Sequence, residues 1–216
     1  MSTVAAARPN IIVIMLDDVP HDLSIMTKTS ALLPQAIRYT NSFVNQPLCG
    51  PSRATFLTGQ ESVTHGVTAN TAFLSNLGGL MPQALRAAGY TTGMFGKNPN
   101  HYKGSAGAFG FDRWSIVMRN KRRYFDPKLD IDGVPTRFPE GTYTTDTIYS
   151  QAEQGIRQPR STPYFAWISA VGGHGPNIPA ARYQGACDDV SFNPGPAFNE
   201  ADVSDKPSFV QIMEPG

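Results

Sequence analysis

Three short runs, residues 11–16 (IIVIML), 91–95 (TTGMF) and 164–171 (YFAWISAV), set what this 216-residue chain can fold into. Each is rich in β-branched and aromatic residues, is free of charge and is bounded by Gly or polar residues, the pattern of a strand buried on both faces in a parallel sheet. Helical pattern lies between them. Residues 81–88 (MPQALRAA) carry Pro82 in a first turn with Gly89 just beyond, and residues 143–157 place Ile148, Ala152 and Ile156 at i, i+4, i+8 spacing. Strand, helix, strand, helix, strand predicts an α/β fold with a parallel sheet flanked by helices. Residues 104–139, with the basic cluster Arg119 to Arg123, read as irregular, and residues 172–216 as almost wholly loop. Twenty Gly and eighteen Pro fit that many connections and exclude a helical bundle or coiled coil.

Eighteen Lys plus Arg against seventeen Asp plus Glu leave a net charge of +1 with no polybasic run, so nucleic acid is not an expected partner. Residues 11–16, the longest apolar run, are too short to span a bilayer, and residues 1–10 lack the basic-then-apolar form of a signal peptide. As written, the chain reads as soluble and cytoplasmic, with no membrane partner; it carries no Asn-x-Ser/Thr sequon. The cysteines Cys49 and Cys187 are far apart and belong to no CxxC or Cys/His cluster, which argues against a zinc ribbon or a disulfide-stapled fold.

Each apolar run stops at a chemically useful side chain: Asp17-Asp18 after the first, Gly96-Lys97 after the second, Gly172-Gly173-His174 after the third. Ligands of open parallel sheets bind outside the carboxyl ends of the strands, so these groups are expected to converge. Adjacent carboxylates at a strand end repel each other and are costly to desolvate unless a hard cation such as Ca²⁺ or Mg²⁺ takes their oxygens. Taken singly, the acidic pair also fits a solvated turn, Lys97 an exposed lysine and His174 a loop histidine.

The most specific segment is residues 48–59, LCGPSRATFLTG. Pro51 suits the first position of a helix that Thr58-Gly59 ends, which puts Cys49 just before a helix N-terminus, where N–H groups and the dipole favour an anion. Arg53, one turn on, can add a charge-assisted fork to that anion. A thiolate nucleophile with His174 as base fits as well, and so does a buried, inert cysteine. Residue chemistry alone leaves the three open.

Cys49-Gly50-Pro51-Ser52-Arg53 followed by Leu57-Thr58-Gly59 resembles the C-x-P-S-R…L-T-G element of the type I sulfatases of the alkaline-phosphatase-like superfamily. Other segments fall in that family's order: Arg8-Pro9-Asn10, Asp17-Asp18, His65-Gly66-Val67, Ala88-Gly89-Tyr90-Thr91-Thr92, Gly96-Lys97, and His174 followed by Pro176. The loop from Phe198 to Pro207 looks toward the glucosamine-6-sulfatase branch.

The resemblance implies an alkaline-phosphatase-like core, a Cα-formylglycine made from Cys49 by a formylglycine-generating enzyme, and a Ca²⁺ or Mg²⁺ ion held by Asp17, Asp18 and residue 49. The aldehyde hydrates to a gem-diol, one hydroxyl attacks sulfur, and the other expels sulfate. Arg53 and Lys97 neutralise charge on the sulfate, and His174 protonates the leaving oxygen or hydrogen-bonds the sulfate. The implied partner is a sulfate-ester small molecule or sulfated carbohydrate.

Three departures accompany the resemblance. Pro99 stands where many members have a histidine, with His101 the nearest imidazole, and Gln60 stands where many have a basic residue. The family's later Asp-Asn or Asp-His ligands and second lysine have no counterpart, since Asp188-Asp189 and Asp205-Lys206 follow no apolar strand and read as surface loop. Residues 1–216 are therefore expected to form the amino-terminal part of one sulfatase catalytic domain. A phosphonate or phosphate monoester hydrolase of the same superfamily, or a non-catalytic sulfatase-like remnant, are the alternatives.

Overall fold

The computed structural model describes residues 8–19, 26–100, 106–118, 124–191, 195 and 198–212. The basic cluster at 119–123 and His101 lie outside the described residues, as do residues 1–7. Two compact units are present, Met1–Ile178 and Pro179–Gly216.

Among its described residues, the first unit holds six strands, β1 (Ile11–Met15), β2 (Thr91–Gly96), β3 (Arg113–Val117), β4 (Lys128–Ile131), β5 (Val134–Arg137) and β6 (Tyr164–Ser169), in the order β1-β6-β2-β3-β4-β5. The first four in that order run parallel, and β4 and β5 add an antiparallel hairpin at the far edge. The helices are α1 (Thr27–Ser30), α2 (Cys49–Thr58), α3 (Ser62–His65), α4 (Met81–Ala87) and α5 (Thr144–Arg157).

β6 is central and buried at all six positions, which is why its sequence is apolar throughout. Its side chains alternate between two cores. Phe165 and Trp167 pack with Met94, Leu57 and Leu80 on the side of α2 and α4, while Tyr164, Ala166 and Ile168 pack with Phe95, Ile148 and Ala152 on the side of α5. The i, i+4 spacing of Ile148 and Ala152 thus marks the buried stripe of α5, as its sequence pattern predicts.

Three expectations are corrected. β1 is not buried on both faces: Ile11, Val13 and Met15 pack into the core, but Ile12 and Ile14 are exposed, because β1 is the edge strand and α5 packs on β6, β2 and β3. Within the span 104–139, residues 106–118 and 124–139 are not irregular; they contain β3, β4 and β5, in which charged or polar residues interrupt the apolar ones, so that none forms a continuous apolar run. The helix of the CGPSR segment begins at Cys49 itself, two residues before Pro51, and ends as predicted at Gly59, which adopts the left-handed conformation (φ 65°).

Among its described residues, the second unit contains one short helix, α6 (Ser208–Gln211), and a 3₁₀ turn at Ala181–Tyr183. Asp188, Asp189 and Asp205 are exposed in it, and Lys206 pairs with Asp205 at 2.7 Å and Glu200 at 3.1 Å. Among the described residues, no helix is long and apolar enough to cross a membrane.

Candidate active site

The carboxyl ends of β1, β2 and β6 are adjacent because their registers bring Met15, Gly96 and Ser169 side by side. Two glycines let the backbones close in at these ends. Gly96 has φ 103°, and a Cβ there would lie 2.0 Å from the carbonyl oxygen of Ser169; Gly173 has φ 99°, and its Cβ would meet the carbonyl oxygen of Asp17 at 2.5 Å. Gly96→Ala is expected to cost at least about 2 kcal/mol, since left-handed strain and overpacking add. Chemical denaturation of the variant against wild type measures it.

Asp17 is the hub. Its Oδ2 accepts from Lys97 Nζ at 2.6 Å, and its Oδ1 accepts from Arg53 at 3.2 Å and from the Cys49 thiol at 3.5 Å. Asp17 is 4 % exposed and Arg53 2 %, so this is a buried ion pair, with Lys97 (18 %) the more open partner. Burial alone would raise the Asp17 pKa, but the hydrogen bond from Lys97 and the charges of Arg53 and Lys97 outweigh it and hold the carboxyl below its ordinary 3.8. Burial likewise pulls the Arg53 pKa down, opposed by Asp17. Arg53 reaches back because it sits one helical turn after Cys49, and its guanidinium also donates to Ser169 Oγ at 3.1 Å and to the Lys97 carbonyl at 3.4 Å.

Asp18, in the left-handed region (φ 55°), also brings its carboxylate to this sulfur: Cys49 Sγ lies 3.9 Å from Asp18 Oδ1. His174 Nε2 is 3.6 Å from Asp18 Oδ2, and its Nδ1 is 2.9 Å from the Gly175 carbonyl. The hydroxyl of buried Tyr124 donates to the His174 carbonyl, anchoring that loop. One ligand atom each from Asp17, Cys49 and His174 lie within 4.8 Å of one another. The structure thus brings together all six residues singled out at the strand ends and in the CGPSR segment: Asp17, Asp18, Cys49, Arg53, Lys97 and His174.

The Cys49 thiol is held above its ordinary pKa by burial and by the two carboxylates, against the opposing charge of Lys97. An unmodified thiol here stays protonated at neutral pH and is a poor nucleophile, which weighs against the thiolate alternative. Iodoacetamide at pH 7.5 is accordingly expected to alkylate exposed Cys187 well before Cys49, with peptide mass spectrometry following both sites.

Two further features were not foreseen. The start of α2 offers an anion fewer donors than expected: Pro51 has no N–H, and the Gly50 N–H is taken by Asn70 Oδ1 at 2.8 Å. Ser169, Asn70 and Tyr124 all support the site, yet each stands in sequence with no motif to mark it. His65, by contrast, carries one of the quoted segments and proves to be a brace, bonded to Thr55 at 3.0 Å through Nε2 and accepting the Val67 N–H at 3.1 Å through Nδ1.

Comparison with known proteins places this geometry. The chain is 30 % identical over 203 residues to an N-acetylglucosamine-6-O-sulfatase of Bacteroides thetaiotaomicron, covering 88 % of this chain and 35 % of that protein. It is 27 % identical over 226 residues to an extracellular sulfatase SULF-1 homolog of Drosophila melanogaster, covering 96 % of this chain and 20 % of the other. A solved structure of a protein in complex with its substrate D-glucosamine-2-N,6-O-disulfate superposes with a TM-score of 0.76 at 30 % identity, over 88 % of this chain and 40 % of that one. The chain therefore spans well under half the length of these relatives, and its parallel-dominant sheet flanked by helices is the alkaline-phosphatase-like core. With the sequence model of the sulfatase family matching residues 9–203, the chain belongs to the sulfatases.

Proposed function

We propose that this chain is the nucleophile-bearing, amino-terminal part of a sulfuric ester hydrolase that acts on a sulfated sugar, with residue 49 converted to Cα-formylglycine by a formylglycine-generating enzyme. The observation that carries the reading is the position of Cys49, in the first turn of α2 with its sulfur 3.5 Å from an Asp17 oxygen and 3.9 Å from an Asp18 oxygen. The relative named N-acetylglucosamine-6-O-sulfatase and the structural neighbour holding a glucosamine disulfate support a 6-sulfated amino sugar as substrate class.

The donor set fits a hard cation in part. Asp17 and Asp18 each bring a carboxylate oxygen to the sulfur of Cys49, at 3.5 and 3.9 Å, but a thiol is a soft ligand, so Ca²⁺ or Mg²⁺ suits the site once residue 49 presents oxygen. When present, the modified residue supplies an oxygen nucleophile and the cation supplies positive charge beside it. Asp17 and Asp18 would hold the cation, in competition with Lys97 for Asp17 Oδ2. Lys97 and His174, which reach solvent at 18 % and 27 %, are the groups able to meet sulfate oxygens and the leaving oxygen. Arg53, at 2 % exposure, acts through Asp17 instead of touching the ester.

Co-expression with the modifying enzyme tests the reading: the Cys49 peptide should lose about 18 Da, the difference between CH₂SH and CHO. The product should turn over an aryl sulfate faster than an aryl phosphonate, the reverse order marking the phosphonate alternative. A second reading, a non-catalytic sulfatase-like remnant, is favoured by one observation: Arg53 and Lys97 already satisfy both oxygens of Asp17. Calorimetry showing tight Ca²⁺ binding by these 216 residues excludes it. As to compartment, the cytoplasmic expectation from residues 1–10 stands against a relative named as extracellular.

A further inference from the structure

We infer that Asn70 is a positioning residue for the nucleophile, clamping the Gly50 peptide and through it residue 49. The kinetic consequence rests on the sulfatase reading; the geometry does not. The first turn of α2 has an unusual shortage of local partners. Its N-cap, Leu48, has an apolar side chain and makes no capping bond, and Pro51 has no N–H, so the Gly50 N–H must be satisfied from outside the helix. Asn70 Oδ1 does this at 2.8 Å. The same oxygen accepts from Asn100 Nδ2 at 2.9 Å, and Asn100 lies three residues after Lys97. A single amide oxygen therefore ties the peptide next to residue 49 to the loop that carries Lys97.

Packing tightens the clamp. Gly50 is buried, and a Cβ at that position would sit 3.2 Å from Asn70 Oδ1 and 3.4 Å from Asn70 Cα, so Asn70 lies directly against the helix start. First turns fray when their N–H groups lack partners. A rotation of the Gly50 peptide moves the side chain of residue 49 relative to Asp17 and Asp18, whose oxygens lie 3.5 and 3.9 Å from its sulfur. A displacement on the order of 1 Å at a nucleophile costs roughly a hundredfold in rate.

Three variants test this: Asn70→Leu, similar in size but with no acceptor; Asn70→Asp, which keeps an oxygen for both donors; and Asn100→Ala, which removes one donor. Hydrogen exchange at the Gly50 amide is read in the unmodified chain, and kcat and KM for an aryl sulfate in the formylglycine-bearing protein. Asn70→Leu should speed Gly50 exchange about tenfold or more and lower kcat about tenfold to a hundredfold with KM within about twofold. Asn70→Asp should restore most of both. Wild-type exchange in Asn70→Leu, or a kcat loss shared equally by Asn70→Asp, overturns the inference. If Asn70→Leu does not fold, a wild-type kcat in Asn100→Ala combined with a lost kcat in Asn70→Asp overturns it too. Absence of sulfatase activity in the wild type defeats the functional reading alone, and the exchange measurement still judges the clamp.

Discussion

Replacing Cys49 by alanine should lower kcat/KM for a sulfate ester by at least about four orders of magnitude in the modified enzyme, the usual result of deleting a covalent nucleophile. Cys49→Ser should be nearly as inactive, although it supplies an oxygen of similar reach. The reason lies in the surroundings of residue 49. Its side chain faces the carboxylates of Asp17 and Asp18, which disfavour any negative charge developing on it, and burial works in the same direction. A plain hydroxyl would also leave a sulfated serine with no internal route to release, whereas an aldehyde hydrate carries a second hydroxyl able to expel sulfate. Steady-state turnover of an aryl sulfate and the mass of the residue-49 peptide check this together. Turnover by Cys49→Ser near that of wild type would show that an unmodified side chain suffices, and would sink the formylglycine proposal.

The convergence of Asp17, Lys97 and His174 was largely legible in the sequence because these residues follow uninterrupted apolar runs. β2 and β6 are buried on both faces, so their composition reports them directly, and the residues that follow them, Lys97 and His174, could be placed on one face of the sheet. The β3–β5 region was illegible for the opposite reason. Arg113-Trp114-Ser115-Ile116 and Lys128-Leu129-Asp130-Ile131 mix charged and polar residues with apolar ones, and a continuous-run criterion passes over them. The onset of α2 at Cys49 could not be read either, because part of its capping comes from Asn70, 20 residues from Gly50 in sequence. Arg53 illustrates the limit most sharply. Its place one turn after Cys49 was visible, but its burial was not, and that burial makes it a partner of Asp17, 36 residues away.

Asp17→Asn should be the most destabilising single change in the site. It removes the counter-charge from a guanidinium that is 2 % exposed, leaving Arg53 only neutral acceptors, the new amide oxygen at position 17, the Ser169 hydroxyl and the Lys97 carbonyl. Breaking a buried pair in this way costs about 3–5 kcal/mol, or roughly a 10 °C fall in melting temperature for a chain of this size. Arg53→Met should cost less, because Asp17 keeps Lys97 at 2.6 Å and no buried charge is stranded. The pH dependence separates a charge effect from a packing effect. Because the folded carboxyl titrates below its ordinary 3.8, the ionised form is favoured by folding, and its contribution is complete above that value. Below it, the unfolded chain takes up the proton first, so the stabilisation fades as pH falls toward the depressed folded value. The gap between wild type and Asp17→Asn, measured by denaturant unfolding of the metal-free chain, should therefore be flat from pH 5 to 7 and shrink below about pH 4. A gap that stays constant into that acid range would assign the loss to altered packing and not to the ion pair.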